Sequence, residues 1–142
     1  MREHVRQLDA FIDGPVVLGM WERLVWARPW QGPPLWIHGD LHPGNLLISG
    51  GTLSAVLDFG DLAAGDPATD LSIVWMLPSS DRSTLVTSAR EEFPTVEDDT
   101  WIRARGWALA LGLAYLASSR DDEPMGALGR ATIDAVLTDT VR

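Results

Sequence analysis

The chain has 142 residues, the size of one ordinary domain, and its 46% hydrophobic content suits a folded globule. The absence of cysteine excludes disulfide bonds and thiolate metal sites, and a formal net charge of −9 argues against nucleic-acid binding because phosphate backbones would be repelled. No apolar run spans a membrane and the first residues lack a signal-peptide pattern, so we expect residues 1–142 to form a single cytoplasmic domain without membrane contact.

The chain up to residue 37 is predicted to be helical and then briefly extended. Apolar residues at helical spacing predict a helix over residues 2–13, which Gly14 and Pro15 should end. A second helix is predicted over residues 19–27. After a proline-containing connector, residues 35–37 are predicted to be a short extended segment.

A small hairpin is predicted over about residues 46–57. Its strands are residues 46–48 and 53–57, where the apolar pattern has a period of two. The turn between them, Ser49-Gly50-Gly51-Thr52, contains the glycines that tight hairpin turns prefer.

The remainder of the chain has a helical pattern. Asp66 is a suitable N-cap and Pro67 suits the first helical position. Further helices are predicted over residues 80–92, from residue 98 to about residue 119, and after Pro124. The predicted fold class is therefore mainly α with a small β-hairpin.

The residues that carry chemistry lie at the two ends of this hairpin. HGDLHPGN occupies residues 38–45 and LDFGD occupies residues 57–61. Because a hairpin brings its ends together, Asn45 and Asp58 should be neighbours, and an amide oxygen beside a carboxylate suits Mg²⁺ held against phosphates. Asp40 adds a carboxylate that can accept a proton from an attacking hydroxyl.

These segments resemble the motifs of the aminoglycoside phosphotransferase and choline-kinase-like family, which has a protein-kinase-like fold. HGDLHPGN is similar to the H-x-D-x-x-x-x-N catalytic loop, LDFGD to the metal-binding D-F-G-type segment, and GDPATDL at residues 65–71 to the G-D-P-x-x-D-L segment. The glycine after His38 favours the aminoglycoside phosphotransferase branch, since protein kinases usually have arginine there. Three motifs in the family's order and spacing make the resemblance specific.

The resemblance implies a role for each matching residue. Asp40 would be the catalytic base, and Asn45 and Asp58 would bind Mg²⁺, with ATP as the phosphoryl donor. His38 and Asp70 would support the site structurally, His38 by bracing the loop and Asp70 by hydrogen bonding back to it.

Two further residues are candidates for contact with the phosphate or the substrate. His42 would approach the γ-phosphate or else pack within the loop, and Asp61 would touch substrate or a second metal or else be a solvated carboxylate. A rival interpretation takes His38, Asp40 and His42 as a zinc triad on a strand. The proline and glycine that follow would break such a strand.

The family's fold has two lobes, and the resemblance covers this chain only as the C-terminal lobe. The N-terminal lobe would bring a phosphate-covering loop and a lysine that anchors ATP, but all eleven basic residues here are arginine. We therefore expect a phosphotransferase that acts on a small-molecule hydroxyl and is inactive as the isolated chain. Its bare cleft face should associate with the missing lobe or with itself.

The alternative to an enzyme is a non-catalytic binding or interaction module derived from a kinase lobe. The acidic balance is compatible with a cationic substrate. Asp121, Asp122 and Glu123 are candidates to meet such a substrate, but a solvated helix start is the better explanation of them.

Overall fold

The computed structural model describes residues 1–79, 82–119 and 123–139, which are mostly helical with two small antiparallel sheets. The helices are α1 (Arg2–Gln7), α2 (Gly14–Leu24), α3 (Ala68–Leu71), α4 (Arg82–Glu92), α5 (Asp98–Ser118) and α6 (Pro124–Thr138). The strands are β1 (Leu35–Ile37), β2 (Leu46–Ser49), β3 (Thr52–Val56) and β4 (Ala63–Gly65). Short 3₁₀ turns lie at Pro43–Asn45, Phe59–Asp61 and Ser72–Trp75. No helix in these described ranges is both long and apolar enough to cross a membrane.

The first two helices differ from the prediction. Gly14 and Pro15 begin α2 instead of ending a helix, because Asp13 caps it by accepting a hydrogen bond from the Val16 amide at 3.1 Å. Proline suits this first turn, where its missing N–H group needs no partner. As a result α1 ends at Gln7, and the second helix covers residues 14–24 instead of 19–27.

The β2–β3 hairpin is confirmed close to its predicted bounds. Leu46 pairs with Val56 and Ser49 pairs with Thr52, and the register shifts between Leu47 and Ile48 because β3 has one extra residue there, Ser54. The turn between the strands holds Gly50 and Gly51 at φ angles of +58° and +78°, a conformation that glycine adopts without strain.

The second sheet was not predicted. β1 pairs antiparallel with β4, so that Leu35 lies opposite Gly65 and Ile37 opposite Ala63. The strand β4 consists of two alanines and a glycine, which have low strand propensity, so only its partner strand makes it extended. This pairing places β4, which follows the hairpin, beside Ile37, the residue directly before the loop that joins β1 to β2.

Asp66 accepts a hydrogen bond at the start of α3, as a capping residue does, although Pro67 and not Asp66 directly precedes the helix, and it also fixes that helix to α5. Its Oδ1 accepts a hydrogen bond from the Ala68 amide at 3.0 Å, and its Oδ2 lies 2.6 Å from Nε of Arg103. Both charged side chains are largely buried. The ion pair therefore sets the position of α3, which carries Asp70.

Helix α5 is the centre of the hydrophobic core. Its residues Leu109 and Leu113 are fully buried, and the other helices contribute to the same cluster. Its contact with α6 is close because glycines face each other: a Cβ on Gly129 would lie 2.6 Å from the carbonyl oxygen of Gly112. The core thus provides a rigid base under the polar loops.

Candidate active site

The loop of residues 38–45, here called the 38–45 loop, connects β1 to β2 and carries four of the predicted site residues. Asn45 is 8% exposed, and its side-chain nitrogen donates to the backbone carbonyl of Asp40 at 2.8 Å. A carbonyl only accepts, so this contact assigns the amide nitrogen to that side and leaves the amide oxygen facing away from it. The oxygen is the atom that a cation would bind.

The hairpin brings Asn45 and Asp58 to the same end. The backbone carbonyl of Asn45 accepts a hydrogen bond from the Leu57 amide at 2.8 Å, and Asp58 follows directly. Asp58 is exposed, has a left-handed conformation (φ 57°, ψ 70°) and accepts a long hydrogen bond from the Gly60 amide at 3.4 Å. One amide oxygen and one carboxylate form part of the hard-oxygen shell that Mg²⁺ prefers.

The protein ligands for such a metal are few. No group of three or more His, Cys, Asp or Glu side chains that would hold an ion exists within residues 1–79, 82–119 and 123–139. The remaining ligands would have to be waters and substrate phosphates, which is the usual arrangement for Mg²⁺ in phosphoryl-transfer sites. The residues therefore fit Mg²⁺ bound together with a nucleotide.

His38 and Asp70 hold the start of the 38–45 loop. The Asp70 carboxylate accepts hydrogen bonds from the amides of His38 at 2.7 Å and Gly39 at 3.1 Å. The His38 ring is buried, donates from Nε2 to the Leu57 carbonyl at 2.8 Å and packs 4.8 Å from the Phe59 ring. Asp70 therefore connects the 38–45 loop to α3, and His38 connects it to the end of the β2–β3 hairpin.

The glycine after His38 has a steric reason. Gly39 has a φ of +87°, and a Cβ at this position would lie 2.4 Å from the backbone carbonyl oxygen of Asp61. The Asp61 backbone thus packs on the loop, while its carboxylate side chain is exposed to solvent. Any larger residue at position 39 would push these two segments apart.

Asp40 lies between two hydrogen-bond donors. The Tyr115 hydroxyl of α5 donates to Oδ1 of Asp40 at 3.2 Å, and Nε2 of His42 lies 3.6 Å from Oδ2. Nδ1 of His42 accepts from the Gly44 amide at 3.1 Å, so its lone pair points there and the ring hydrogen on Nε2 faces Asp40. His42 is only 12% exposed, which is consistent with packing within the loop.

Tyr115 was missed as a site residue in the sequence analysis, which assigned it only to the apolar face of α5. Burial, followed by the charge of Asp40 and the hydrogen bond to it, raises the pKa of Tyr115 far above its usual value. Its hydroxyl therefore remains protonated and donating at physiological pH. The one available signal was that this is the only tyrosine in the chain.

The zinc interpretation finds no support in this geometry. The His38 ring is directed at the Leu57 carbonyl, whereas the His42 ring lies edge-on to Tyr115 with 5.9 Å between ring centres. Of the acidic residues after α5, Asp121 and Asp122 lie outside the described residues, and Glu123 is exposed just before α6.

The comparisons with known proteins concern the family and the fold of the chain. The sequence model of the phosphotransferase enzyme family (APH) matches residues 2–116. Two crystal structures of thermostable mutants of aminoglycoside phosphotransferase APH(4)-Ia share the fold. The ternary complex with AMP-PNP and hygromycin B is 22% identical with a TM-score of 0.56. The apo form is 20% identical with a TM-score of 0.55.

The matched structures are about twice as long as this chain. Each comparison covers 91% of this chain and 46% of the solved one, and no curated protein matches at a significant level. At this level of identity the structures establish similarity of fold, whereas the family model extends over most of the chain. On that match, the chain belongs to the phosphotransferase enzyme family.

Proposed function

We propose that this chain is the catalytic C-terminal lobe of an ATP-dependent kinase that phosphorylates a hydroxyl group of a small molecule. The observation that carries the proposal is the arrangement at one end of the hairpin. Asp40, Asn45 and Asp58 are held there by contacts among the 38–45 loop, the Leu57 amide and α5. These residue types supply a base and a partial metal site, which phosphoryl transfer needs.

In the proposed reaction the substrate hydroxyl attacks the γ-phosphorus of ATP. A new oxygen–phosphorus bond forms, the bond from that phosphorus to the β,γ-bridging oxygen breaks, and ADP leaves. The hydroxyl proton moves to the carboxylate of Asp40, which is 37% exposed and therefore accessible to substrate. Asp40 is the catalytic base in this scheme.

Asn45 and Asp58 are the proposed Mg²⁺ ligands, through the amide oxygen and the carboxylate respectively. Bound Mg²⁺ would neutralise charge on the phosphates. His38 and Asp70 act as structural supports, because they hold the backbone of the loop through buried hydrogen bonds. The exposed carboxylate of Asp61 is available to a substrate, whereas His42 faces Asp40.

The substrate is proposed to be a cationic small molecule with a free hydroxyl group. The net charge of −9 favours the approach of cations. One of the structures of similar fold holds hygromycin B, so an aminoglycoside is one candidate within this class. The need for ATP is consistent with a cytoplasmic location.

A second lobe is proposed to cover the sheets next to the site. Eight of the fourteen large hydrophobic side chains that are most exposed among the described residues lie between residues 35 and 62, including Trp36 at 78% and Phe59 at 54%. Surface of this kind marks an interaction site. The partner would supply the lysine that this sequence lacks, and self-association through the same surface is the competing outcome.

The experiment that tests this proposal joins the chain to a family N-terminal lobe, by fusion or by mixing, and measures ATP-dependent phosphorylation. The isolated chain should give no useful turnover and the assembled protein should give turnover. Asp40→Asn should then reduce kcat by about 10²–10⁴-fold because the base is removed. Asp58→Ala should raise the Mg²⁺ concentration that is required. Asp9→Asn, an exposed residue between α1 and α2, is the matched control and should behave as wild type.

Three outcomes would contradict parts of the proposal. Robust turnover by the isolated chain would remove the need for a second lobe. An assembled enzyme that is indifferent to Asp40→Asn would remove the base assignment. Binding of the lobe without turnover under any condition would favour the alternative, a non-catalytic interaction module, which the absence of lysine also favours.

A further inference from the structure

We infer that Tyr115 is a positioning residue for Asp40: its hydroxyl holds Oδ1 while His42 faces Oδ2, so that the carboxylate is fixed for the incoming hydroxyl. This inference deepens the proposed function and rests on it. Tyr115 acts through Asp40 and does not itself contact the reacting atoms.

The position of Tyr115 is set by the hydrophobic core. It lies near the end of α5 between Leu113 and Leu116, which are 0% and 3% exposed. The 38–45 loop, in contrast, is an irregular segment whose conformation depends on individual hydrogen bonds. The contact between Tyr115 and Asp40 joins residues 75 positions apart. The hydrogen bond therefore ties the Asp40 side chain, which lies on an irregular loop, to a helix of the hydrophobic core.

The two oxygens of Asp40 have different partners, and this determines how the carboxylate is oriented. Oδ1 accepts from the Tyr115 hydroxyl at 3.2 Å, and Oδ2 is 3.6 Å from Nε2 of His42. The ring orientation of His42 is in turn set by the amide of Gly44. Rotation of the carboxyl group would break the hydrogen bond from Tyr115, so that bond restricts the orientation, while the His42 ring at 3.6 Å is a close polar neighbour of the other oxygen. Catalysis by a base depends on such preorganised geometry.

The hydroxyl can fill this role only while it is protonated. The Tyr115 ring is half-buried and its hydroxyl faces Asp40, which together raise its pKa well above the usual value. Within residues 1–79, 82–119 and 123–139, the titratable groups in contact with it are Asp40 and, across the ring edge, His42. Removing the negative charge of Asp40 should lower the pKa of Tyr115, while burial should keep it above that of a solvated tyrosine.

The first test uses the fact that the chain contains a single tyrosine. The ultraviolet absorbance change on tyrosinate formation therefore reports Tyr115 alone, and it is recorded from about pH 8 up to the highest pH at which circular dichroism shows the chain still folded, and in the denatured chain for comparison. The folded wild type should ionise at higher pH than the denatured chain, whose value is about 10. Asp40→Asn should shift the folded curve to lower pH. Asp134→Asn, an exposed residue of α6, is the control and should leave it unchanged.

The second test measures the effect of Tyr115→Phe on the assembled enzyme. This variant keeps the ring in the core and removes only the hydroxyl. We expect kcat to fall about tenfold, as for the loss of one hydrogen bond, with little change in the KM for ATP. If the role of Tyr115 were purely structural, Tyr115→Phe would lower the thermal stability and would not lower kcat selectively while the KM for ATP stayed the same.

The outcomes separate this inference from the proposed function. If Asp40→Asn abolishes turnover and Tyr115→Phe leaves kcat unchanged, the positioning role is wrong and the proposed function stands. If Asp40→Asn has no effect on turnover, the proposed base is wrong. The inference fails if Tyr115 ionises at the same pH in the folded and the denatured chain, or if Asp40→Asn does not change that pH. Either result would show that the contact is absent, whether or not an active enzyme is assembled.

Discussion

The polar segment of residues 38–61 and the paired helices α5 and α6 are held together by different forces. Between the helices, Gly112 and Gly129 let the backbones touch, and the fit is steric. In the segment of residues 38–61, many apolar side chains are exposed and contribute little to the core. The positions of its loops depend on hydrogen bonds to other elements. Changes in the helices should therefore reduce stability first, whereas changes in the polar segment should reduce activity or local order at a smaller cost in stability.

The largest effect on stability is expected for Gly129→Ala. Its Cβ would lie 2.6 Å and 2.7 Å from backbone atoms of Gly112 and Leu116, so the helices would have to separate. We expect the free energy of unfolding to fall by about 2–3 kcal/mol, measured by urea denaturation. The control is Gly19→Ala in α2, where no atom lies within 4 Å. This control should increase stability by about 0.5–1 kcal/mol. Equal effects at both positions would show that α5 and α6 are not in close contact.

A smaller effect is expected for Asp70→Asn, which tests the hydrogen bonds of the polar segment. The two oxygens of Asp70 each accept from a different amide, and asparagine offers only one acceptor oxygen. We expect a loss of about 1–2 kcal/mol in unfolding free energy and faster hydrogen exchange at the amides of His38 and Gly39. Asp61→Asn, whose side chain is exposed in the same segment, should change neither quantity. Unchanged exchange in Asp70→Asn would mean that these contacts do not order the loop.

The smallest effect is expected at the ion pair between the exposed Arg28, which lies outside both regions, and Asp99 in the first turn of α5. Nε of Arg28 lies 2.6 Å from Oδ2 of Asp99, and this side-chain hydrogen bond, with the backbone amide of Arg28, lowers the pKa of Asp99. A carboxyl group whose pKa is lowered in the folded state stabilises the fold at neutral pH. That contribution is lost as the pH falls below the usual aspartate value of about 3.9 and through the lowered pKa.

Arg28→Gln should accordingly leave the melting temperature at neutral pH almost unchanged and make the loss of stability in acid slightly smaller. Added salt should reduce the difference further, because exposed pairs are screened. A large drop in the melting temperature at neutral pH would show that this pair contributes more than an exposed contact can.

The sequence predicted those parts of the fold whose signals are local. Helices α5 and α6 and the β2–β3 hairpin carry their own periodicity, and Asp66 lies two residues before the helix whose first amide it binds. The strand β4 has no such signal, because its extended form depends on β1. Gly14 and Pro15 were misinterpreted as a helix end because the same pair also begins a helix when Asp13 caps it.

The candidate site was predictable to a similar extent. The motif spacing selected the candidate residues, which remain a prediction, and the hairpin places Asn45 and Asp58 at the same end of the β2–β3 sheet. The contact from Tyr115 to Asp40 was not predictable, because it depends on the direction in which one face of α5 meets a loop far away in the sequence. Non-local contacts of this type require the packed structure.

The left-handed backbone at Asp58 has a consequence for protein engineering. Within the described residues it is the only non-glycine position with a positive φ, and such a conformation is about 1 kcal/mol or more less favourable for a residue with a Cβ atom, although aspartate adopts it more readily than most. Glycine adopts this conformation without strain. Asp58→Gly would therefore remove the carboxylate and keep the turn, so the proposed metal ligand can be deleted without loss of the local backbone conformation.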